Sequence, residues 1–224
     1  MKEKIEQAII DFWDMTYAEM EPCKVKESDL EITGGLEDSL LFLNDSTKDI
    51  LDVGSGDGTM LMKMAFHDCG NNYLGLDSSN KAVAFANQTS ALSGLKKIHF
   101  KVGSLKELSL MKEASFDGLL CSNFLDVIPL TDAELYIKQL IRLLDKPGYL
   151  VLKVNFLIDS NHLKNPAFDK RDDGIYINNI YRCSNQDDDY WIKAFEPLKL
   201  IKKSSYQRSL KLPPDRIMFF KKIS

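Results

Sequence analysis

DILDVGSGDGT, Asp49 to Thr59, is the stretch from which the rest of the chain can be read. Ile50, Leu51 and Val53 form a short, partly β-branched apolar run, the pattern of a strand buried on both faces. Asp52 interrupts that run just before a turn built from Gly54, Gly56 and Gly58. Thr59 then opens TMLMKMAFHD, where Leu61, Met64 and Ala65 fall at helical spacing. Strand, glycine turn and helix in immediate succession bring bare backbone amides to a helix N-terminus. Glycine supplies both clearance and freedom for positive φ. The arrangement predicts a nucleotide-type site.

Spacing separates two kinds of nucleotide site. A dinucleotide fingerprint places its third glycine five positions after the first. Counting from Gly54 that position is Thr59, and the third glycine comes one residue early, at Gly58. A nicotinamide-dependent oxidoreductase is therefore the weaker reading. GxGxG with an acid, Asp52, two residues before the first glycine resembles the first motif of class I S-adenosylmethionine-dependent methyltransferases.

Composition agrees with a single globular α/β domain. The chain has 224 residues, 44% hydrophobic and 28% charged, which suffices for a sizeable core. No apolar run approaches the roughly 20 residues of a membrane span. The opening MKEKIEQAIIDFWD carries acids throughout and has no signal-peptide core. Cys23, Cys69, Cys121 and Cys183 are scattered, with no CxxC pair and no histidine at metal-ligand spacing. They read as reduced thiols, not a metal site or disulfide frame, and point to a cytoplasmic or nuclear protein without a membrane partner. The formal charge of −4 argues against a nucleic-acid partner, because nonspecific binding of that kind runs on phosphate neutralisation.

Along the chain, Ile5, Ile9, Phe12, Trp13 and Tyr17 predict an amphipathic helix over 2–18. Two roles stand open for it: cover for a sheet edge, or a lid carrying Trp13 and Tyr17 over a site. LEDSLLFLND predicts a helix feeding the first strand. NNYLGLDSS predicts a second strand ending at Asp77. From Gly54 to Asp77 the interval is close to the roughly 20 residues that place an acid on ribose hydroxyls. A carboxylate offers two oxygens for that task, while Asp77, Ser78 or Ser79 would equally cap the next helix. KKIHFKV predicts a third strand running into Gly103-Ser104-Leu105, and FDGLLCSN a fourth ending at Ser122 and Asn123. TDAELYIKQLIRLLDKPGYLVLKVN predicts a helix with a Thr131–Glu134 capping box, a stop at Lys146-Pro147-Gly148, and a fifth strand to Val154.

This alternation predicts a doubly wound parallel sheet, whose ligands lie over the carboxyl ends of the strands. The class I resemblance, strengthened by LLDKPGYLVL, implies a mostly parallel seven-stranded sheet with S-adenosylmethionine as cofactor and S-adenosylhomocysteine as product. It needs no metal. The chain then divides into an N-terminal helical cap (1–45), a cofactor-binding core (46–154), a substrate insertion (155–183, read as irregular) and a terminal helix and strand pair (184–224). By the same resemblance the cofactor residues are Asp52, Gly54, Gly56, Gly58, Asp77, Ser78, Gly103, Ser104, Leu105, Ser122 and Asn123. With serine at 104 where an aspartate is common, adenine recognition would lean on the amides of Ser104 or Leu105.

In such enzymes the acceptor sits beyond the fourth strand, so Phe124 is expected in the substrate pocket, and Asp126 is either a general base or a charge on a solvated turn. SNFLDVIP lacks the NPPY pattern of amide or adenine N-methylation. Phe12-Trp13, Asn155 after LKVN, CSNQDDDYWIKAFEPLKL and LPPDRIMFF further resemble the protein α-N-terminal methyltransferases. That resemblance implies a protein N-terminal peptide as partner, with Trp13 and Tyr17 lining its channel and Asn155 holding the amine. Asp126, Asp172 or Asp173 would take the proton, although the family's insertion aspartate falls nearest Asn178. The acids between Asp159 and Asp189 would draw a cationic amine or simply face solvent. A small-molecule N- or O-acceptor and a non-catalytic cofactor-binding scaffold remain the alternatives.

Overall fold

The computed structural model describes residues 2–67 and 69–223, with side chains described from Gln7 onward; the expected apolar position Ile5 lies outside the described side chains. Helix α1 (Lys2–Ala18) and helix α2 (Gly34–Ser46) precede the first strand. Strands β1 (Asp49–Val53), β2 (Asn72–Asp77), β3 (Ile98–Val102), β4 (Phe116–Ser122) and β5 (Leu144–Val154) then alternate with α3 (Thr59–Phe66), α4 (Asn80–Leu92), α5 (Leu105–Leu110) and α6 (Leu130–Leu143). A small antiparallel sheet, β6 (Phe168–Arg171), β7 (Gly174–Ile177) and β8 (Ile180–Cys183), follows. Helix α7 (Asp188–Ala194), β9 (Lys199–Tyr206) and β10 (Asp215–Lys222) complete the chain.

The main sheet has seven strands in the order β3-β2-β1-β4-β5-β10-β9. The first five are parallel, and β10 runs antiparallel to both β5 and β9. This is the expected doubly wound, mostly parallel α/β sheet. Its order reverses between β1 and β4, so the ends of those strands flank the crevice where such sheets bind ligands. Alternating residues feed two cores. Leu51, Leu119, Cys121, Leu150, Leu152 and Met218 pack with Ile137 and Leu140 of α6 and Trp191 of α7. Ile50, Leu120, Val151 and Ile217 pack with Leu36, Leu40 and Leu43 of α2 and Leu61 and Met64 of α3. Asp117 fixes the start of the sheet by accepting hydrogen bonds from the Lys48 and Asp49 amides at 2.9 and 2.8 Å.

Several local expectations need correction. Ser104-Leu105-Lys106-Glu107 is a capping box that starts α5, the S-x-x-E signature of a helix N-terminus, where the expectation is only a turn. The N-cap of α6 is Pro129, two residues before the expected Thr131, because the Pro129 carbonyl accepts from the Asp132 and Ala133 amides. That helix ends at Leu143, so Lys146-Pro147-Gly148 fall inside β5. The insertion 155–183 is not irregular throughout. Asn178 and Asn179 both take positive φ (52° and 62°), making the tight connection that pairs β7 with β8. The terminal strand pair is as expected, with β9 at the sheet edge and β10 inside it, and Lys222 of β10 turns inward to donate to the Ile141 and Leu144 carbonyls at 2.7 Å, closing the end of α6.

Candidate active site

The glycine turn is shaped by contacts from both sides. The Gly54 and Ser55 amides donate to the Leu76 carbonyl at 2.8 and 3.0 Å, folding the turn across the end of β2. Gly54 (φ +76°) and Gly56 (φ +52°) both need the left-handed region. A Cβ on Gly54 would lie 2.5 Å from the Phe124 ring, and one on Gly56 would lie 2.5 Å from the Tyr17 hydroxyl. Gly58 has another duty: it lies outside the cavity lining, and its missing side chain makes room for Phe100 and Ala86. Helix α3 therefore packs close to the sheet.

Three carboxylates gather at this turn. Asp52 is buried, and its Oδ1 has no hydrogen-bond partner although the residue lines the cavity. Asp77 accepts from the Gly56 amide through one oxygen and from the Ser79 amide through the other, both at 2.8 Å. The helix cap of α4 is Ser79, not Asp77, which leaves the Asp77 carboxylate facing the cavity. Burial pushes the Asp52 carboxyl well above the usual range, and Asp77 and Asp57 add to the effect. Burial also raises Asp77, against the two amide bonds that favour its ionised form. Such a crowd of acids is suited to hydroxyl and ammonium donors.

A cavity of about 630 Å³ opens in front of this turn, a size suited to a small-molecule site. Helix α1 forms one wall with Ile9, Ile10, Trp13 and Tyr17. Of the two roles open for that helix, it is thus placed as a lid. Trp13 stacks on Tyr17 with ring centroids 6.0 Å apart, and the Arg182 guanidinium of β8 lies 4.6 Å from the Phe12 ring centroid. Asp14 accepts from Ser79 Oγ, tying the lid to α4. Burial, with Asp57 and Asp77 next, raises the Tyr17 phenol, so it stays protonated.

The far wall is polar. Ser122, Asn123 and Phe124 line it, joined by Lys153, Tyr206 and Arg208. Lys153 Nζ donates to Asn123 Oδ1 and to Asp215 Oδ2, the latter at 2.7 Å, and lies 5.5 Å from the Tyr206 ring centroid. Arg208 Nη2 donates to Asp215 Oδ1 at 3.0 Å and to Asn155 Oδ1 at 2.9 Å. Asn155 in turn sends its amide and Nδ2 to Asp126 Oδ2 at 2.8 and 2.7 Å. Burial lowers Lys153, opposed by Asp215, and burial raises Asp126, opposed by the Asn155 bonds.

Several expected positions stand elsewhere. Asp126 is no solvated turn: it is buried, and neither it nor Asn155 lines the cavity. Asp172 and Asp173 lie exposed beside the β6–β7 turn, also off the cavity, where Asp173 accepts from the Tyr176 hydroxyl at 2.8 Å. Ser104 and Leu105 line the cavity, yet their amides are already engaged, by Glu107 at 2.8 Å and the Tyr136 hydroxyl at 3.0 Å. Ser78 lines the cavity as well, whereas Gly103 borders a small adjoining recess. Sequence reasoning misses Lys153, Tyr206 and Arg208. A signal exists for the first, since a lysine inside the apolar run YLVLKV is as anomalous as Asp52 inside ILDV.

These residues fit S-adenosylmethionine: an orphaned buried oxygen on Asp52, a glycine turn whose side-chain space is filled by Tyr17 and Phe124, and an Asp77 carboxylate facing the cavity. Among the described residues no cluster of His, Cys, Asp or Glu could hold a metal ion, and no helix is long and apolar enough to cross a membrane.

Comparison with known proteins places the chain. No curated protein sequence matches it. Among solved structures, the Burkholderia thailandensis 1,6-didemethyltoxoflavin-N1-methyltransferase, with bound 1,6-didemethyltoxoflavin and S-adenosylhomocysteine, is similar with a TM-score of 0.71 at 13% identity, covering 100% of this chain and 91% of that one. The N-methyltransferase NodS from Bradyrhizobium japonicum, in complex with S-adenosylhomocysteine, gives 0.61 at 16% identity, over 84% and 86%. A Haloferax volcanii putative methyltransferase in complex with its Trm112 activator gives 0.65 at 15%, over 95% and 98%. At these identities the likeness is one of fold. The family model described as methyltransferase domain matches residues 44–192, from the end of α2 through most of α7. The chain belongs to that methyltransferase-domain family, among the class I S-adenosylmethionine-dependent methyltransferases.

Proposed function

We propose that this enzyme methylates a small-molecule acceptor bound between the α1 lid and the Asn123–Lys153 wall. The observation that carries the reading is the cavity's lining: apolar residues of α1 and α6 on its flanks, and Lys153 with Arg208 on its far wall. When bound, S-adenosylmethionine supplies a methyl group on an electrophilic sulfonium. The chain's part is to hold and align. Asp77 offers its carboxylate to ribose hydroxyls, and Asp52 offers its orphaned oxygen to a donor or a cation. Tyr17 and Phe124 close on the glycine turn, while Ile9, Ile10 and Trp13 keep water from the reacting groups. Asn123 is held with its amide group between Lys153 and Asn155, which fixes its orientation toward the acceptor.

The α-amine of a protein N-terminus is less well supported. Of the acids between Asp159 and Asp189, those expected to attract a cationic amine, none lines the cavity. The wall facing the acceptor carries cations instead. Asn155, the expected holder of the amine, stands behind Asn123 and is bound to Asp126 and Arg208.

The test is release of S-adenosylhomocysteine from S-adenosylmethionine with a panel of small N- and O-nucleophiles, run beside a free and an N-acetylated peptide beginning Ser-Pro-Lys. Release with a small molecule and none with either peptide is expected. Methylation of the free peptide alone would overturn the small-molecule reading, and binding without turnover on any acceptor would favour a scaffold.

A further inference from the structure

Lys153 is the only lysine or arginine with a side chain more than nine-tenths buried that also lines the cavity, among the described residues. It reaches the site from the end of β5 and spends two of its three N–H donors on Asn123 and Asp215. Arg208 stands at the mouth with its side chain 42% exposed. Its Nη2 is bound to Asn155 and Asp215, while its Nε and Nη1 make no hydrogen bond among the described residues. Two cations thus share one carboxylate, Asp215, which does not itself line the cavity. Asp126 lies behind Asn155, which turns its backbone amide and its Nδ2 toward it. The carboxylates that do line the cavity are Asp52, Asp57 and Asp77 at the glycine turn, Asp132 at the start of α6, and the exposed Glu31.

We infer that the acceptor carries a carboxylate on an apolar or aromatic body, and that the free donors of Arg208 and Lys153 hold that carboxylate. The inference rests on the methyltransferase reading of the cavity and names the acceptor's chemical class. The chemistry is that of donor matching. With Nη2 spent on Asn155 and Asp215, the remaining Nε–H and Nη1–H groups lie on different edges of the guanidinium, so each offers a carboxylate oxygen a single charge-assisted hydrogen bond, and the Lys153 ammonium adds a point charge. The ring of Trp13 and the side chains of Ile9, Ile10 and Phe124 offer the rest of the molecule an apolar enclosure. A cationic acceptor would meet the same two charges and be repelled. Burial already pulls the Lys153 ammonium toward its neutral form, and an anion beside it acts in the opposite direction.

Calorimetry on the protein saturated with S-adenosylhomocysteine tests this, using three probes on one naphthyl body: 2-naphthoate, 2-naphthamide and 2-naphthylmethylammonium. We expect the carboxylate to bind at least tenfold tighter than the amide, and the ammonium to bind weakest. Arg208→Gln should cut the preference for carboxylate over amide to under threefold, and Arg208→Glu should favour the ammonium. Both variants change a half-exposed side chain and leave Lys153 paired with Asp215, so circular dichroism should show an intact fold; Lys153→Met removes a buried charge partner and is the less safe variant. Equal binding of the three probes, tightest binding of the ammonium, no detectable binding of the carboxylate, or a preference untouched by Arg208→Gln would overturn the inference while leaving the methyltransferase reading in place. Failure of S-adenosylhomocysteine itself to bind would instead overturn that reading, and this one with it.

Discussion

At one end of the cavity, the polar groups come from two neighbouring strand ends, β1 and β2, and the turn that follows β1. At the other, Lys153 of β5, Tyr206 of β9 and Arg208 of the β9–β10 connection meet around Asp215 of β10. The first end is built by backbone: glycine conformations, amides donated to Leu76 and Asp77, and a carboxylate left with an open oxygen. The second is built by a side-chain network whose members are distant in sequence. A contiguous motif tolerates little change because the backbone itself must take the shape. A dispersed network can exchange members without disturbing the sheet, which suits the part of an enzyme that distinguishes one acceptor from another.

The largest effect that would test this division belongs to Gly54. Gly54→Val must adopt φ +76° with a branched side chain and displace the Phe124 ring, so S-adenosylhomocysteine binding should fall by roughly 100-fold or more, an order-of-magnitude expectation for a strained and blocked site. Calorimetric binding within tenfold of the parent would break the backbone account. Next is Lys153→Met, which leaves Asp215 fully buried with Arg208 as its remaining cation. A loss of about 3–5 kcal/mol by denaturant unfolding is expected, most of it recovered when Asp215 is replaced by leucine in the same chain. No recovery in the double variant would mean that the pair is more than a self-contained unit.

Asp52→Asn probes the glycine-turn end through pH. Asp52 has its folded pKa raised by burial first and by Asp77 and Asp57 next. The folded protein then binds more protons than the unfolded chain once pH exceeds the ordinary carboxylate value, so this group's contribution to stability falls as pH rises through that window. A carboxamide at this position cannot ionise. The variant should therefore melt higher than the parent at neutral pH, by about 2–4 °C for each kcal/mol relieved, while binding S-adenosylhomocysteine at least fivefold more weakly, roughly 1 kcal/mol for one hydrogen bond. A lower melting temperature would contradict the crowding argument. The smallest effect belongs to the paired change Asp172→Asn and Asp173→Asn. These residues lie off the cavity, so methyl transfer should stay within twofold, and a tenfold loss would return the insertion's acids to the chemistry.

The sheet is legible because each of its parallel strands is a short apolar run closed by a turn, and buried strands have few other ways to be written. Asp77 can be placed by spacing alone. Helix α5 escapes a reading that gives Ser104 to the ligand instead of to the backbone, although Ser104 and Glu107 carry its capping box. The β7–β8 pairing escapes when the segment is taken as one loop, although Asn178-Asn179 sits between GIYI and IYRC. Lys153 and Arg208 are a harder case. Nothing local says that a lysine ending β5 and an arginine following β9 share Asp215, because β10 enters between β5 and β9 only in the folded sheet. Asp126 shows the converse error: a carboxylate beside a turn reads as solvated until the Asn155 amide is seen to cover it.

We assign the nucleoside portion of S-adenosylmethionine to the glycine turn and Asp77 together. Isothermal titration of the protein with S-adenosylhomocysteine, repeated on Asp77→Asn and Asp77→Ala and set against NADH, tests it most directly. One site per chain, a loss of at least tenfold in both variants and no measurable NADH binding are the results expected. Tighter binding of NADH, or full affinity for S-adenosylhomocysteine after Asp77 is removed, would contradict it.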